Sequence, residues 1–393
     1  MSSITIKPGR VQPVWAGHPW VYAQAVGETT GRLEPGCEVE VLDAKGNFLG
    51  VGLYSPKSAI AVRLFARRKR PIDAAFFRQR LERALALRQS LGLPNNETTA
   101  YRWVHGEGDG LPGLIVDVFG KQVSIQLGTI GLWQRRDLIF QQIEALLHPT
   151  CIYDRTPQRV ANLEGFETAD AVVVGEATPL QFAELGIRYR IPFELQQKTG
   201  YYCDQRPLRA LVRELAQAKR VIDAYSYVGA VGLNAARGAA KSVICVDRND
   251  AAIATARDLS QAHGYGETIT AVHGDVMQYL EQAPNNSADL VICDPPKLAQ
   301  SRRGKESAQR LLRALARQAC RVCCEDGLVI LSSCSAAVGV LELSRALALG
   351  ALDSGAQARI TQRLFQGPDH PVLAGFSEGD YLSTVVGHLT PRD

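Results

Sequence analysis

Between Ile4 and Arg70 the apolar positions come in short runs, "PWVYAQAV", "CEVEVLDAKGNFLGVGLY" and "AIAVRLF", separated by turn signals at Lys45-Gly46-Asn47 and Ser55-Pro56. Short runs between turns without a helical period predict the strands of a small β-barrel. At Pro71 the period changes. "IDAAFFRQRLERALALRQSLG" carries apolar residues at helical spacing, with Asp73 as the capping residue and Gly92 and Pro94 as stop signals, so a helix is predicted. Beyond it, "YRWVHGEGDGLPGLIVDVFGKQVSIQLG" reads as strands joined by glycine turns and "LWQRRDLIFQQIEALL" as an amphipathic helix. "CIYDRT" reads as a strand, and "TPLQFAEL" with "IRYRIPFEL" as a hairpin turning at Gly186.

From about Tyr202 strand and helix patterns alternate. The predicted strands are "RVIDAYS", "SVICVD", "ITAVHGD", "ADLVICD" and "GLVILSS"; the predicted helices are "DQRPLRALVREL", "GAVGLNAAR", "AAIATARDLSQ", "VMQYLEQ" and "ESAQRLLRALARQAC". Such βα repetition predicts an α/β fold with a doubly wound parallel sheet. Three parts are therefore expected: a β-barrel over residues 1–70, a small α+β region over 71–180, and a doubly wound α/β domain over 181–393.

Composition changes this picture little. The 393 residues are 46% hydrophobic, enough for a sizeable core, and carry a net charge of only +4. No apolar run approaches bilayer-spanning length, so a soluble cytoplasmic protein without a membrane partner is expected. The nine Cys are scattered, several of them within apolar strands, which predicts no disulfide framework. Cys320, Cys323 and Cys324 lack a second half-site, so they are read as a helix face, and no metal is expected. Charge is locally concentrated instead. "RLFARRKR" gathers Arg63, Arg67, Arg68, Lys69 and Arg70, and "KLAQSRRGK" gathers Lys297, Arg302, Arg303 and Lys305. Each is a solvated face or a phosphate-contacting patch.

In a doubly wound sheet, ligands bind beyond the carboxyl ends of the strands. The first strand runs into "DAYSYVGAVGL", where Gly229 and Gly232 permit a tight turn into a helix N-terminus, while Tyr225, Ser226 and Tyr227 replace the early glycines of a dinucleotide fingerprint. The second ends at Asp247, about twenty residues on, where a carboxylate can accept from both hydroxyls of a ribose. The third ends at Asp275, placed for an adenine amine. Capping is the structural alternative for Asp247, Asn249 and Asp275. Taken together the three ends point to an adenosine-bearing cofactor, with NAD and S-adenosylmethionine both fitting.

The fourth strand exit, Asp294-Pro295-Pro296-Lys297, favours the second. Paired prolines hold the carboxylate in one orientation, as an enzyme presenting a nucleobase edge to a methyl donor requires. Lys297 stands where amino-directed methyltransferases place a base-stacking aromatic ring, so methylation of an exocyclic amine is disfavoured. The fifth strand, "VILSSCS", delivers Cys334 to the same rim. C5 of a pyrimidine is too weakly nucleophilic to take a methyl group unaided, and a thiolate adding to C6 activates it. A buried core Cys is the alternative, against which stand the polar neighbours Ser332, Ser333 and Ser335.

With these residues in place, the chain resembles the bacterial 23S rRNA (cytosine-C5) methyltransferases of the RlmI type over nearly its whole length. "GHPWVYAQAV" looks like the start of that family's PUA domain, an RNA-binding β-barrel, and "GEGDGLPGLIVD" like its middle-domain signature. "QKTGYYCDQR", "AYSYVGAVG", "VDRN", "HGDV", "CDPPK", "SSCS" and "DHPV" follow in the family's order. The resemblance implies a class I S-adenosylmethionine-dependent methyltransferase domain with Cys334 as nucleophile and Asp294 on the edge of a flipped cytosine. It further implies that Asp223, Tyr225, Tyr227, Gly229, Asp247 and Asp275 line the cofactor pocket. Lys198, Thr199, Gly200, Asp204 and Gln205 would form a lid or lower wall near it. Pro295, Pro296, Lys297, Arg302 and Arg303 are expected to face the RNA. Where many relatives have a Gly-Gly-Phe step after the tyrosine and one residue, this chain has "SYVGAVG". The implied product is 5-methylcytosine and the implied partner 23S rRNA or a large-subunit precursor, with a homodimer a candidate state. A uracil-C5 methyltransferase uses the same covalent logic, a non-catalytic RNA-binding assembly factor would keep the same fold, and a nicotinamide oxidoreductase is disfavoured by the missing glycine fingerprint.

Overall fold

The computed structural model describes residues 2–168, 171–195, 199–297, 305–335 and 337–391. The chain divides into two compact units, the first formed by residues 1–188, 196–203 and 368–379, the second by 189–195, 204–367 and 380–393.

The first unit opens with a six-stranded sheet in the order Trp20–Tyr22, Ile60–Ala66, Phe48–Tyr54, Glu38–Leu42, Ser2–Ile6, Val26–Thr30. Its inward positions, among them Ile4, Ile6, Val39, Val41 and Val62, are buried in one cluster. Helix Ala74–Ser90 follows. Asp73 caps it by accepting from Phe76 N at 2.9 Å, a contact of the kind that contributes about 1 kcal/mol. Phe76, Phe77, Leu81 and Ala84 of the helix pack against a second sheet, ordered Ala171–Val174, Cys151–Asp154, Gln122–Leu127, Leu114–Phe119, Ala100–His105. Strands Leu180–Glu184 and Ile187–Ile191 are joined through Leu185 and Gly186. Both linking residues have left-handed backbones (φ 51° and 72°), the combination that a two-residue hairpin turn requires.

The second unit is built on a seven-stranded sheet in the order Ile269–His273, Ser242–Asp247, Arg220–Ala224, Ala288–Cys293, Cys323–Ser333, Ser383–Pro391, Ala356–Phe365. The first five strands pair in parallel and the last two antiparallel. Alternation along the strands sorts their residues by face. Ile222, Ala224, Val246, Val291, Cys293, Val329 and Leu331 are buried in one core with residues of helices Val276–Gln282, Lys305–Val322 and Val340–Asp353. The opposite face carries Asp223, Val243 and Cys245 beneath helix Ala230–Arg237. A Cβ on Gly232 of that helix would lie 2.4 Å from Cys245 Sγ, so only glycine permits this approach of helix to sheet.

The reading of Cys320, Cys323 and Cys324 as one helix face needs correction. Helix Lys305–Val322 ends before the second of them, and Cys323 and Cys324 open the next strand, whose first residue pairs with Ala288. The apolar run from Val322 into Cys323 holds no turn signal, which is why the boundary was hidden. Among the described residues no helix is long and apolar enough to cross a membrane, and no group of three or more His, Cys, Asp or Glu side chains is arranged to hold a metal ion.

Candidate active site

The loop after strand Arg220–Ala224 is shaped by three left-handed residues, Tyr225 (φ 65°), Tyr227 (φ 51°) and Gly229 (φ 74°). Two of them are non-glycine residues, so the loop needs outside support to hold this conformation. Asp247 supplies part of it. Its Oδ2 accepts from Tyr227 N at 2.9 Å and its Oδ1 from Asn249 N at 2.9 Å. Ser226 N donates to Val246 O at 3.0 Å, and Tyr227 donates its hydroxyl to Leu195 O.

Capping of the following helix falls to Asn249, which accepts from Ala252 N at 3.1 Å. Asp247 is thus relieved of the cap, and each of its oxygens, having taken one backbone N–H, keeps acceptor capacity toward a ligand. Asp275 does serve as a cap, but through Oδ1 alone, accepting from Gln278 N at 3.0 Å, and the residue is exposed.

Asp223 behaves differently. It is 2% exposed, and its Oδ2 accepts from Gly232 N at 2.9 Å, so it braces the first turn of helix Ala230–Arg237 from below. Burial raises its carboxyl to about 7, with the Asp294 and Asp247 carboxylates adding to the rise and the Gly232 bond opposing it. The folded protein therefore keeps a proton that the unfolded chain releases near pH 4. Stability from this group is fully present below that pH and is lost as pH rises through about 7. Asp223→Asn keeps an acceptor for Gly232 and removes the titration. Relative to wild type, its melting temperature is expected to climb from pH 5 to pH 8 and then level off, and calorimetry across that range would show a constant difference if the carboxyl did not titrate there.

Asp294 follows strand Ala288–Cys293, and Cys334 follows strand Cys323–Ser333. These strands are parallel neighbours with Cys293 opposite Leu331, so both residues lie at adjoining carboxyl ends. Gln205 Nε2 donates to Asp294 Oδ2 at 2.8 Å, fixing that carboxylate from helix Arg206–Leu215's leading edge. Asp204 accepts from Tyr381 OH at 2.6 Å, and its carbonyl from Gly367 N at 3.0 Å. Pro295 is buried, while Pro296 and Lys297 are exposed.

The serines around Cys334 have structural duties. Ser332 Oγ and Thr384 Oγ1 share a hydrogen bond of 2.8 Å across the antiparallel strand pair, Ser333 Oγ accepts from Ser335 N at 3.3 Å, and Ser335 Oγ accepts from Ala337 N at 3.4 Å. They shape the strand exit that presents the thiol. Cys334 itself is partly exposed, whereas Cys293, one residue before Asp294, is fully buried and its thiol is pushed up by burial. Cys245, Cys320 and Cys323 are likewise buried with raised thiols. A thiol held protonated in the core cannot serve as a nucleophile.

The remaining candidates divide. Thr199 and Gly200 belong to the first unit, where a Cβ on Gly200 would meet Leu180 Cδ1 at 2.4 Å and Tyr201 donates its hydroxyl to Glu184 Oε1 at 3.0 Å. Lys198, Arg302 and Arg303 lie outside the described residues. Asp369 and His370 of "DHPV" are buried in the first unit, where Asp369 O accepts from Arg88 Nη2 at 2.7 Å and Asp369 Oδ2 from Arg102 N at 2.9 Å. That motif anchors structure. Tyr381 and Thr384 support the site but belong to no readable motif, whereas Asn249 closes "VDRN". Only Asn249, as one of two possible caps, left a signal in the sequence.

Residues 4–67 match a PUA-like domain family and residues 168–346 an S-adenosylmethionine-dependent methyltransferase family. Ribosomal RNA large subunit methyltransferase I of Alteromonas mediterranea is 34% identical over 99% of this chain and 99% of its own. The chain belongs to the ribosomal RNA large subunit methyltransferase I family. The Erwinia tasmaniensis member is 32% identical over 96% of this chain and 97% of its own. Among solved structures, an S-adenosylmethionine-dependent methyltransferase from Streptococcus mutans superposes with a TM-score of 0.82 at 20% identity, covering 99% of this chain and all of that one, and so shares the fold. A methyltransferase solved in complex with SAH gives 0.83, also at 20% identity, over 98% and 100%.

The cofactor of this family is S-adenosylmethionine, and the residues present fit it. Besides the acceptor capacity of Asp247, Ser226 Oγ in the same loop is buried with no hydrogen-bond partner among the described residues. An unsatisfied hydroxyl at a strand end is a position that a polar ligand completes. Asp247→Ala should weaken S-adenosylmethionine binding about 10- to 100-fold, the loss expected for hydrogen bonds to a charged group. Titration calorimetry would measure it, and an unchanged Kd would place the ribose elsewhere.

Proposed function

We propose that this protein methylates C5 of a cytosine in large-subunit ribosomal RNA through a covalent adduct between Cys334 and C6 of the base. The observation that carries this reading is the partly exposed Cys334 thiol at the strand end adjoining Asp294, while the neighbouring Cys293 is sealed in the core. S-adenosylmethionine, when bound, supplies the methyl group as an electrophilic carbon on a sulfonium, and Asp247 with the Tyr225–Gly229 loop would hold it. Cys334 Sγ, as thiolate, forms a bond to C6 and leaves C5 electron-rich; once C5 is methylated, its proton goes to a base and the S–C6 bond breaks, returning the thiolate.

Asp294 favours cytosine over uracil. Held by the Gln205 amide, its carboxylate acts as an acceptor, which matches the N4 amine of cytosine and opposes the O4 oxygen of uracil. The relatives named for action on ribosomal RNA supply the substrate class. A base must leave its stack to reach this rim, at a cost of a few kcal/mol that is smallest in unpaired RNA. Pro296 and Lys297, exposed beside Asp294, would face that RNA.

The test is transfer of labelled methyl from S-adenosylmethionine to large-subunit rRNA from cells lacking the protein, with the product base identified by mass spectrometry. Label in 5-methylcytosine supports the reading. Label in 5-methyluracil would reverse the assignment to Asp294, and cofactor binding without transfer to any RNA would favour an assembly factor.

A further inference from the structure

The first unit holds a cavity of about 400 Å³ whose walls come from strand Ile60–Ala66, helix Ala74–Ser90 and the loop Glu107–Pro112. Three arginines line it, Arg67, Arg80 and Arg83, of which Arg67 donates from Nη2 to His18 O at 3.0 Å. Arg80 is fixed by donation from Nη2 to Phe65 O at 3.2 Å and lies 5.3 Å from the Phe76 ring centre, yet its Nε is buried with no hydrogen-bond partner among the described residues. Desolvation lowers the Arg80 pKa, and the Arg83 charge adds to this. Two like charges brought together this way call for an anion.

The acidic residues of the wall are turned to other partners. Asp109 is engaged by Arg88, with its two oxygens accepting at 2.5 and 2.8 Å, and Glu107 accepts from Trp20 Nε1 at 2.7 Å. The glycine loop is fitted to the arginine. Gly110 has φ 69°, and a Cβ there would stand 3.0 Å from Arg80 Nη1. Leu87 and Leu373 add an apolar side to the cavity. Its volume falls in the range of small-ligand sites, roughly 300–1,000 Å³.

We propose that this cavity is an RNA subsite that seats a backbone phosphate of an unpaired nucleotide on Arg80 and Arg83, with the rest of that nucleotide against Leu87 and Leu373. The inference rests on the RNA-methylating reading above but concerns a site outside the methyltransferase unit. It gives Gly110 of the "GEGDG" loop a role in leaving room for the Arg80 guanidinium.

The experiment uses the full-length protein and a large-subunit rRNA fragment, with Kd measured from low to moderate salt for wild type, Arg80→Gln and Arg83→Glu. Arg83 is exposed, so the second variant tests the site without disturbing packing. Each variant should bind about tenfold more weakly at low salt, with a shallower salt slope by about one phosphate contact and unchanged S-adenosylmethionine affinity. Wild-type Kd and slope in Arg83→Glu would overturn the subsite alone, because wild-type binding would still stand. Failure of wild type to bind any rRNA fragment would overturn both the subsite and the RNA reading. Adenosine monophosphate competing for the cavity while RNA affinity ignores both substitutions would mark a small-molecule site and overturn the proposal too.

Discussion

Cys334→Ala is expected to abolish 5-methylcytosine formation, lowering kcat by about 10⁴-fold or more, because loss of a covalent nucleophile removes the pathway rather than one of its contacts. S-adenosylmethionine should bind as before, since the cofactor-side residues Asp247, Tyr227 and Ser226 lie on other strand ends. Packing changes little because the side chain is partly exposed. Cys293→Ala offers the contrast. That thiol is fully buried in the core, so its loss should lower the melting temperature and leave chemistry nearly intact. Single-turnover methyl transfer together with thermal melts separates the two outcomes. Transfer that survives Cys334→Ala would make the thiol structural and end the covalent mechanism.

Asp294→Ala should lower kcat by about 10²- to 10³-fold, the range seen when a preorganised polar group is removed from a reacting base. The carboxylate has a fixed position, set by the rigid Pro295-Pro296 exit and by the 2.8 Å bond from Gln205. Gln205→Leu should therefore cause a smaller loss in kcat, since it frees Asp294 without deleting it. Asp294→Asn is the more discriminating variant. The amide can turn a donor toward the base, so activity on cytosine should fall while any activity on uracil rises. Equal loss on both bases would mean that Asp294 does not read the base edge.

Much of the second unit was legible from residue pattern. Apolar runs bounded by glycine and acidic residues mark five parallel strands, since a strand buried on both faces must be apolar throughout. The order of strand ends then puts Asp247, Asp275, Asp294 and Cys334 on one rim, a consequence of βα topology alone. The edge was less legible. Strands Ala356–Phe365 and Ser383–Pro391 are antiparallel, and the first alternates partly buried with exposed residues without a strong apolar run.

What sequence cannot rank is competition among polar groups, because capping, bracing and ligand binding use the same residue types. Tertiary structure resolved it by giving the cap to Asn249, the brace to Asp223 and part of the loop's support to Asp247. The helix Ala74–Ser90 shows the same limit. Nothing in the sequence sets Arg88 apart from the other arginines of the helix, yet it is fully buried on Asp109 and Asp369. The cluster "RLFARRKR" is similarly divided, with Arg63 bound to Glu164 at 3.2 Å, Lys69 to Glu40 at 2.9 Å, and Arg70 donating to Gln79 Oε1. By itself the sequence determined the periodic elements, their order and the chemistry carried to the strand ends, because these depend on local spacing. Only the tertiary structure decided which charges are paired, which thiols are sealed in the core and which carboxyl is pushed up by burial, because burial and pairing are set by residues distant in the chain.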